Sequence, residues 1–160
     1  MSETKTKKRP ASNKAEAGVG ASLNGFIADT YVLLAKTQAC HWNATGPNFF
    51  GLHKLTEAQY GELFEAIDVL AERVRALDIL APTGLAAMLS LAKLAEAPEG
   101  GISTKDAART LAEDNAAMAA RASELAEAAE EAEDLATHDM FVKRIEVHEK
   151  AAWLLRSHLG

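Results

Sequence analysis

The sequence has little of what defines several common protein classes. Its 160 residues include a single cysteine, Cys40, which excludes an intrachain disulfide framework and a cysteine-based zinc site. No apolar run approaches the roughly 18 residues of a transmembrane helix. The N-terminal segment MSETKTKKRPASNKAEAG lacks the apolar stretch of a secretory signal. No P-loop, dinucleotide fingerprint or HExxH motif is present. We therefore expect a soluble, cytoplasmic protein with no membrane association.

Charge divides the chain into two regions. Residues 1–20 carry five basic and two acidic side chains, a net +3, whereas the remainder holds 12 basic and 21 acidic side chains, a net −9. We interpret residues 1–20 as a basic, flexible N-terminal arm and residues 21–160 as one folded domain. Such an arm is either a solvated terminus or a non-specific DNA-binding segment that contacts phosphates. Its basic residues are Lys5, Lys7, Lys8, Arg9 and Lys14.

Apolar residues recur at three- and four-residue steps, which predicts helices rather than strands. The predicted helices span residues 23–45, 48–80, 85–94, 103–131 and 135–159. Gly46 and Pro47 end the first helix, and Asn48, Ser103 and Asp134 are candidate N-caps of later ones. The third and shortest segment falls in the middle of the chain. This pattern predicts an all-α fold, a four-helix bundle with a short helix in the central connection.

A bundle of this kind can hold two irons between its own helices through Glu-x-x-His motifs. None of the five histidines has an acidic residue three positions before it, so that site is missing. Two other pairs, His53 with Glu57 and Asp68 with Glu72, each occupy one face of the second helix. Imidazole and carboxylate groups suit iron or zinc. The pairs are about 22 Å apart along the helix, so they cannot bind one ion within it.

Two-fold symmetry between two chains resolves this separation. The midpoints of His53 and Glu72, and of Glu57 and Asp68, coincide between residues 62 and 63. Two copies of the helix packed antiparallel about that point would bring His53 to Glu72 and Glu57 to Asp68, which creates two identical sites. His41, from the end of the first helix, could complete each site. The alternative is that these are solvated helix charges and two packed histidines.

Three segments resemble the Dps family, the DNA-protecting mini-ferritins of bacteria. They are HWNATGPNFFGLH at residues 41–53, DVLAERV at 68–74 and HEKAAWLLR at 148–156. The resemblance covers about residues 21–159 and implies a ferritin-like bundle that assembles as a hollow dodecamer of two-fold dimers. Such shells oxidise Fe(II), preferentially with hydrogen peroxide, store the ferric product and protect DNA. A DNA-compacting nucleoid protein with secondary metal binding is the alternative, and a plain helical oligomerisation module is a third.

The resemblance also assigns residues. It implies a di-iron site with His41, His53 and Glu57 from one subunit and Asp68 and Glu72 from its two-fold mate. The family often has aspartate at the position of Glu57. Trp42 either packs in the core or also lies over the site and intercepts oxidising equivalents. An acidic pore for iron entry falls on Glu133, Asp134 and Asp139, although acidic residues there also complement a helix dipole. The protein would be nucleoid-associated if it binds DNA.

Overall fold

The computed structural model describes the backbone of residues 14–160 and the side chains from residue 18 onward. The helices are α1 (Lys14–Asn43), α2 (Phe49–Ala76), the short α3 (Leu85–Leu91), α4 (Thr104–Glu131) and α5 (Leu135–Arg156). Helix α1 packs against α2 and α4, and α4 packs against α5, which forms the four-helix bundle. The predicted all-α fold with a short helix in the central connection is confirmed. Within residues 14–160, no helix is long and apolar enough to cross a bilayer.

The first helix begins earlier than the sequence predicts. Lys14, assigned to the arm, is the first residue of α1, and Val19 is buried in the core. Alanines in this segment have a high helix propensity, and burial of Val19 supports the added turns. Residues 14–20 therefore belong to the helix instead of the arm. The other basic residues of the predicted arm lie outside the described residues: Lys5, Lys7, Lys8 and Arg9.

Two very short strands, which the sequence pattern did not predict, close one end of the bundle. Strand β1 (Ala44–Thr45) pairs in parallel with β2 (Ile102–Ser103). Two residues are too few to show an alternating pattern. Gly46 follows β1 with a φ of 131°, and a Cβ atom there would lie 3.0 Å from the hydroxyl of Thr104. That hydroxyl donates to the carbonyl of Pro47 at 2.8 Å, so the α1–α2 turn is joined to the start of α4.

The predicted caps have different outcomes. The hydroxyl of Ser103 accepts from the backbone N–H of Asp106, and the Asp134 carboxylate accepts from that of Thr137, so both caps are confirmed. Asn48 immediately precedes α2 as predicted, but its side chain makes no cap hydrogen bond. Its backbone is left-handed, with a φ of 58°, whereas a side-chain cap normally requires an extended backbone. Helix α2 ends before its predicted limit because Asp78 has a φ of 62°.

A polar network around His148 lies in the core between α4 and α5. His148 is fully buried, with Nδ1 2.8 Å from the side-chain oxygen of Asn115 and Nε2 3.1 Å from Nη2 of Arg144. Arg144 also forms a two-pronged ion pair with Glu62. Burial, reinforced by the charge of Arg144, lowers the pKa of His148 to about 3. His148 is therefore a neutral imidazole with both ring nitrogens engaged.

Candidate metal centre

Two histidines stack at the junction of α1 and α2. His41 is in the last turn of α1 and buried, and His53 is in the second turn of α2 and half-buried. Their ring centroids are 3.7 Å apart, and the ring planes differ by 15°. The tight turn after α1 reverses the chain, so residues 12 positions apart meet face to face. The two histidines that the sequence singled out are therefore brought together within one chain.

Each imidazole is oriented by the backbone of the other histidine. Nδ1 of His41 lies 2.9 Å from the carbonyl oxygen of His53, and Nδ1 of His53 lies 3.0 Å from the carbonyl oxygen of His41. A carbonyl only accepts, so each Nδ1 carries the hydrogen and donates it. The hydroxyl of Thr56, 3.2 Å from Nδ1 of His41, assists. This tautomer leaves the Nε2 lone pair of both rings available to a metal ion.

Glu57 lies one helical turn beyond His53 on α2. Its carboxylate is exposed and pairs with Lys54 at 2.8 Å. The hydrogen bond from Lys54 and the charge of Lys54 hold the pKa of Glu57 below its usual value, with smaller contributions from His41 and His53. The carboxylate is thus ionised at neutral pH and lies on the same side of the helix as the histidine pair. A carboxylate oxygen and imidazole nitrogens are donor types that suit iron.

The other two predicted ligands are elsewhere in the chain. Asp68 and Glu72 lie near the far end of α2, and both side chains are exposed. Across the part of the chain that the structure describes, no three side chains of His, Cys, Asp or Glu come close enough to hold a metal ion. One chain therefore does not assemble the five-residue set. The site shared between chains stays a prediction.

The aromatic surroundings of the histidine pair differ from the expectation. Trp42 is 67% exposed, so in the single chain it does not pack in the core. Adjacent helical residues point in different directions, and burial of His41 turns Trp42 outward. Instead, Tyr60 lies edge-on to His41 with centroids 5.2 Å apart, and Phe49 contacts His53 at the same distance. Tyr60 follows His53 by seven residues, a spacing that places both on one helix face.

The predicted pore residues have unequal roles. Asp134 caps α5, forms an ion pair with Arg73 at 2.5 Å and accepts from the hydroxyl of Thr137. Burial alone would raise its pKa, but these hydrogen bonds and the charge of Arg73 hold it below the usual value. Asp134 is thus engaged in joining α2 to α5. Glu133 and Asp139 are exposed, so two of the three predicted pore residues have carboxylates open to solvent.

Comparison with known proteins places this geometry in a family. Residues 20–160 match the model of the ferritin-like domain. The DNA protection during starvation protein of Brevibacillus brevis is 36% identical over 141 residues, which is 88% of this chain and 94% of that protein. The chain belongs to the Dps family. A solved Dps structure from Bacillus brevis has a TM-score of 0.89 and 34% identity, covering 93% of this chain and 99% of its own.

A Dps structure from Vibrio cholerae extends the comparison. It has a TM-score of 0.87 and 26% identity, and covers 96% of this chain and 100% of its own. That protein is described as a member of a broad superfamily of ferritin-like diiron-carboxylate proteins. The Dps fold predicted from the three resembling segments is therefore confirmed. In this chain the buried core carries the network around His148, whereas four of the five metal-ligand candidates lie on α2 and the fifth, His41, lies at the end of α1.

Proposed function

We propose that this Dps protein is a ferroxidase. It oxidises Fe(II), preferentially with hydrogen peroxide, at sites shared between two chains, and it stores the ferric product inside a hollow dodecamer. Removal of both reactants protects DNA from oxidative damage in the bacterial cytoplasm. The observation that carries the proposal is the reciprocal hydrogen bonding of His41 and His53 through Nδ1, with no hydrogen bond to either Nε2 among the described residues. A metal ion binds a neutral imidazole through such a lone pair.

The exposed face of α2 supports a partner chain at this site. The residues on this α2 face are His53, Glu57, Gly61, Phe64, Asp68 and Glu72. Phe64 is 72% exposed, and a Cβ atom added to Gly61 would meet nothing within 4 Å. The midpoint of Gly61 and Phe64 along the sequence lies between residues 62 and 63, where the midpoints of the two ligand pairs also lie. A two-fold mate would therefore place Phe64 opposite Gly61. A large ring against a residue without a side chain allows close packing of two helices.

The donor set suits the proposed reaction. Histidine and carboxylate ligands bind iron without thiolates, which peroxide would oxidise. Two Fe(II) ions supply the two electrons that reduce one peroxide to two waters, so no hydroxyl radical is released. His41 and His53 present neutral nitrogen donors in fixed orientation, and Glu57 presents a carboxylate that is ionised at neutral pH. Lys54, now paired with Glu57, would move aside when a cation takes the carboxylate.

The proposal also covers how iron enters the shell and how the protein binds DNA. Glu133 and Asp139, exposed at the start of α5, would focus a negative potential that draws Fe(II) into the shell. The basic residues before α1 would bind DNA weakly and non-specifically, because the acidic body repels the phosphate backbone. Several arms on one dodecamer would raise the apparent affinity through multivalency. The protein would then be associated with the nucleoid.

Two double variants test the shared site. One carries His41→Ala with His53→Ala, and the other carries Asp68→Ala with Glu72→Ala. Each alone should oxidise Fe(II) poorly, because every site lacks half of its ligands. Refolded together at equal amounts, about half of the dimers are mixed, and one of the two sites in each mixed dimer is intact. We expect about one quarter of wild-type peroxide-dependent iron oxidation.

A second mixture provides the matched control. The quadruple variant, with all four substitutions in one chain, is refolded with an equal amount of the wild-type protein. Shared sites survive only in wild-type dimers, so about one quarter of the activity should again remain. Sites built within one chain predict no activity in the first mixture and about one half in the second. Native mass spectrometry confirms that mixed assemblies have formed. No activity in the first mixture, together with about one half in the second, would refute the shared site.

A further inference from the structure

The interior of the bundle contains a cation that is part of the chain itself. Arg144 on α5 is buried, and its guanidinium group donates to both carboxylate oxygens of Glu62 on α2. The same group lies against His148, with Nη2 3.1 Å from the ring Nε2. A carboxylate and an imidazole are ligand types that suit divalent iron, cobalt and zinc. Arg144 therefore lies between two side chains that are chemically suited to bind a metal ion.

The imidazole of His148 presents a lone pair to the guanidinium group. The amide nitrogen of Asn115 donates to the carbonyl of Leu111 at 2.8 Å, so the side-chain oxygen of Asn115 is the atom that faces Nδ1 of His148. An amide oxygen only accepts, so Nδ1 carries the hydrogen and Nε2 accepts from Arg144. Histidines that bind metal ions are typically held in one tautomer by an outer partner of this kind.

Space for a hydrated ion lies beside these groups. A cavity of about 370 Å³ between α2 and α5 is lined by Glu62, Asn115 and His148 among its polar residues. It has room for several water molecules, which complete the coordination of a metal that has few protein ligands. Nη2 of Arg144 is 3.1 Å from an oxygen of Glu62 and 3.1 Å from Nε2 of His148. Metal–ligand bonds are about 2.1 Å long, so each ligand atom would approach an ion at that place by about 1 Å. The side chain of Glu62 is 41% exposed, which leaves it room to move.

We propose that Arg144 fills a latent metal site in the core of each chain and keeps divalent cations away from Glu62 and His148. Its charge repels an incoming cation, and its nitrogens already occupy both ligands. The interior of the bundle is where Glu-x-x-His motifs hold two irons in other proteins of this architecture. The absence of such motifs is then one of two reasons why this core holds no iron, and the guanidinium group is the other. The latent site uses none of the residues of the proposed shared centre.

Removal of the guanidinium group tests this assignment. Arg144→Ala is made in the quadruple variant described above, so that four of the five ligand candidates of the shared centre are absent. Because Glu62 is partly exposed, water can solvate its carboxylate after the change, and the chain should fold. Co(II) is the probe, since its visible absorption reports on bound ligands, and equilibrium dialysis measures how much is bound. We expect one Co(II) per chain more than the quadruple variant binds.

Two further variants in the same background separate a specific site from a change in net charge. Arg109→Ala also removes an arginine from an ion pair, here with Asp106 on the surface of α4, and should add no Co(II). Arg144→Ala combined with Glu62→Ala keeps His148 but lacks the carboxylate, and the added Co(II) should be lost. Both controls keep the helices and their lengths unchanged, so a difference between them and Arg144→Ala reports on the latent site.

A gain of Co(II) in Arg144→Ala alone would support the latent site. No gain in the folded variant, an equal gain in Arg109→Ala, or a gain that survives Glu62→Ala would overturn it. If Arg144→Ala is unfolded without metal, its helical circular dichroism should recover with Co(II), because the ion replaces the lost charge. A chain that stays unfolded with Co(II) would also overturn the proposal. None of these results bears on the shared ferroxidase centre, so the two proposals can fail separately.

Discussion

Two polar regions of this molecule contain buried or half-buried histidines, and the hydrogen bonds of their ring nitrogens differ. In the bundle core, His148 uses Nδ1 on Asn115 and Nε2 on Arg144, so neither nitrogen is open. At the α1–α2 junction, His41 and His53 each use Nδ1 on a backbone carbonyl, and Nε2 makes no hydrogen bond within the described part of the chain. The first region stabilises the packing of α4 against α5. The second is the region for which we propose metal binding.

The comparison shows that burial and chemical availability are separate properties. His41 and His148 are both buried, but their hydrogen-bond partners differ in kind. A guanidinium group and an amide occupy both nitrogens of His148, whereas a backbone carbonyl can occupy only the protonated nitrogen of His41. A histidine in the core of this ferritin-like fold is thus not by itself evidence of a metal site. The free nitrogen, and what lies beside it, decides the role.

The largest effect should follow from blocking the α2 face. Gly61→Leu adds a side chain where a single chain has open space, so the chain should fold and gain helix propensity. In the proposed two-fold contact, that side chain would collide with the ring of Phe64. We expect loss of the assembled protein and of iron oxidation, measured by native mass spectrometry and ferric absorbance, with helical circular dichroism retained.

Gly18→Leu is the control for that change. Gly18 is also a helical glycine with nothing near its added Cβ, but it is exposed on α1, away from the α2 face. It should leave assembly and iron oxidation unchanged. A Gly61→Leu protein that assembles and oxidises iron normally would contradict the proposed contact between two α2 helices. The orientation of His41 and His53 would then need an explanation other than a shared site.

The second-largest effect should be on the pH dependence of stability, through the buried His148. Burial lowers the pKa of His148 to about 3, against about 6.5 in the unfolded chain, so below pH 6.5 the unfolded state binds the proton that the folded state excludes. This group therefore lowers the free energy of unfolding by about 1.4 kcal/mol per pH unit as the pH falls from about 6.5 toward 3.

His148→Gln removes this titration and keeps one hydrogen-bond donor and one acceptor. Urea unfolding at matched protein concentration, at several values between pH 5 and pH 8, should show a shallower loss of stability for the variant on acidification. At pH 8 the two proteins should differ far less in slope. Parallel curves across the whole range would show that His148 accepts a proton in the folded state, which contradicts its assignment as a closed, neutral imidazole.

The smallest effect should come from Thr56→Val. The change removes the hydroxyl that assists Nδ1 of His41, while the carbonyl of His53 remains as the main acceptor. We expect anaerobic Fe(II) affinity to fall by less than about tenfold. Thr30→Val is the matched control, since Thr30 is also buried, donates to a carbonyl four residues back and lies three helical turns before His41 on α1. Equal losses in the two variants would show a general packing effect instead.

Much of the architecture was readable from local patterns. Helical periodicity predicted the four long helices and the short one, and Ser103 and Asp134 were recognisable as caps because capping involves residues three apart. The spacing of His53, Glu57, Asp68 and Glu72 along one helix excluded a site within α2 and indicated a two-fold axis. The start of α1 was harder to predict, because a basic composition resembles a flexible arm until burial of Val19 is known.

The sequence by itself therefore determined the helices, the missing core metal motif and the face on which the ligand candidates lie. Each of these depends on residues a few positions apart, where helix geometry converts spacing into direction. Only the tertiary structure decided that His41 and His53 exchange hydrogen bonds, that Tyr60 and not Trp42 contacts them, and that Arg73 engages Asp134. Those contacts join different helices, and their register depends on how the whole core packs, which no local spacing encodes.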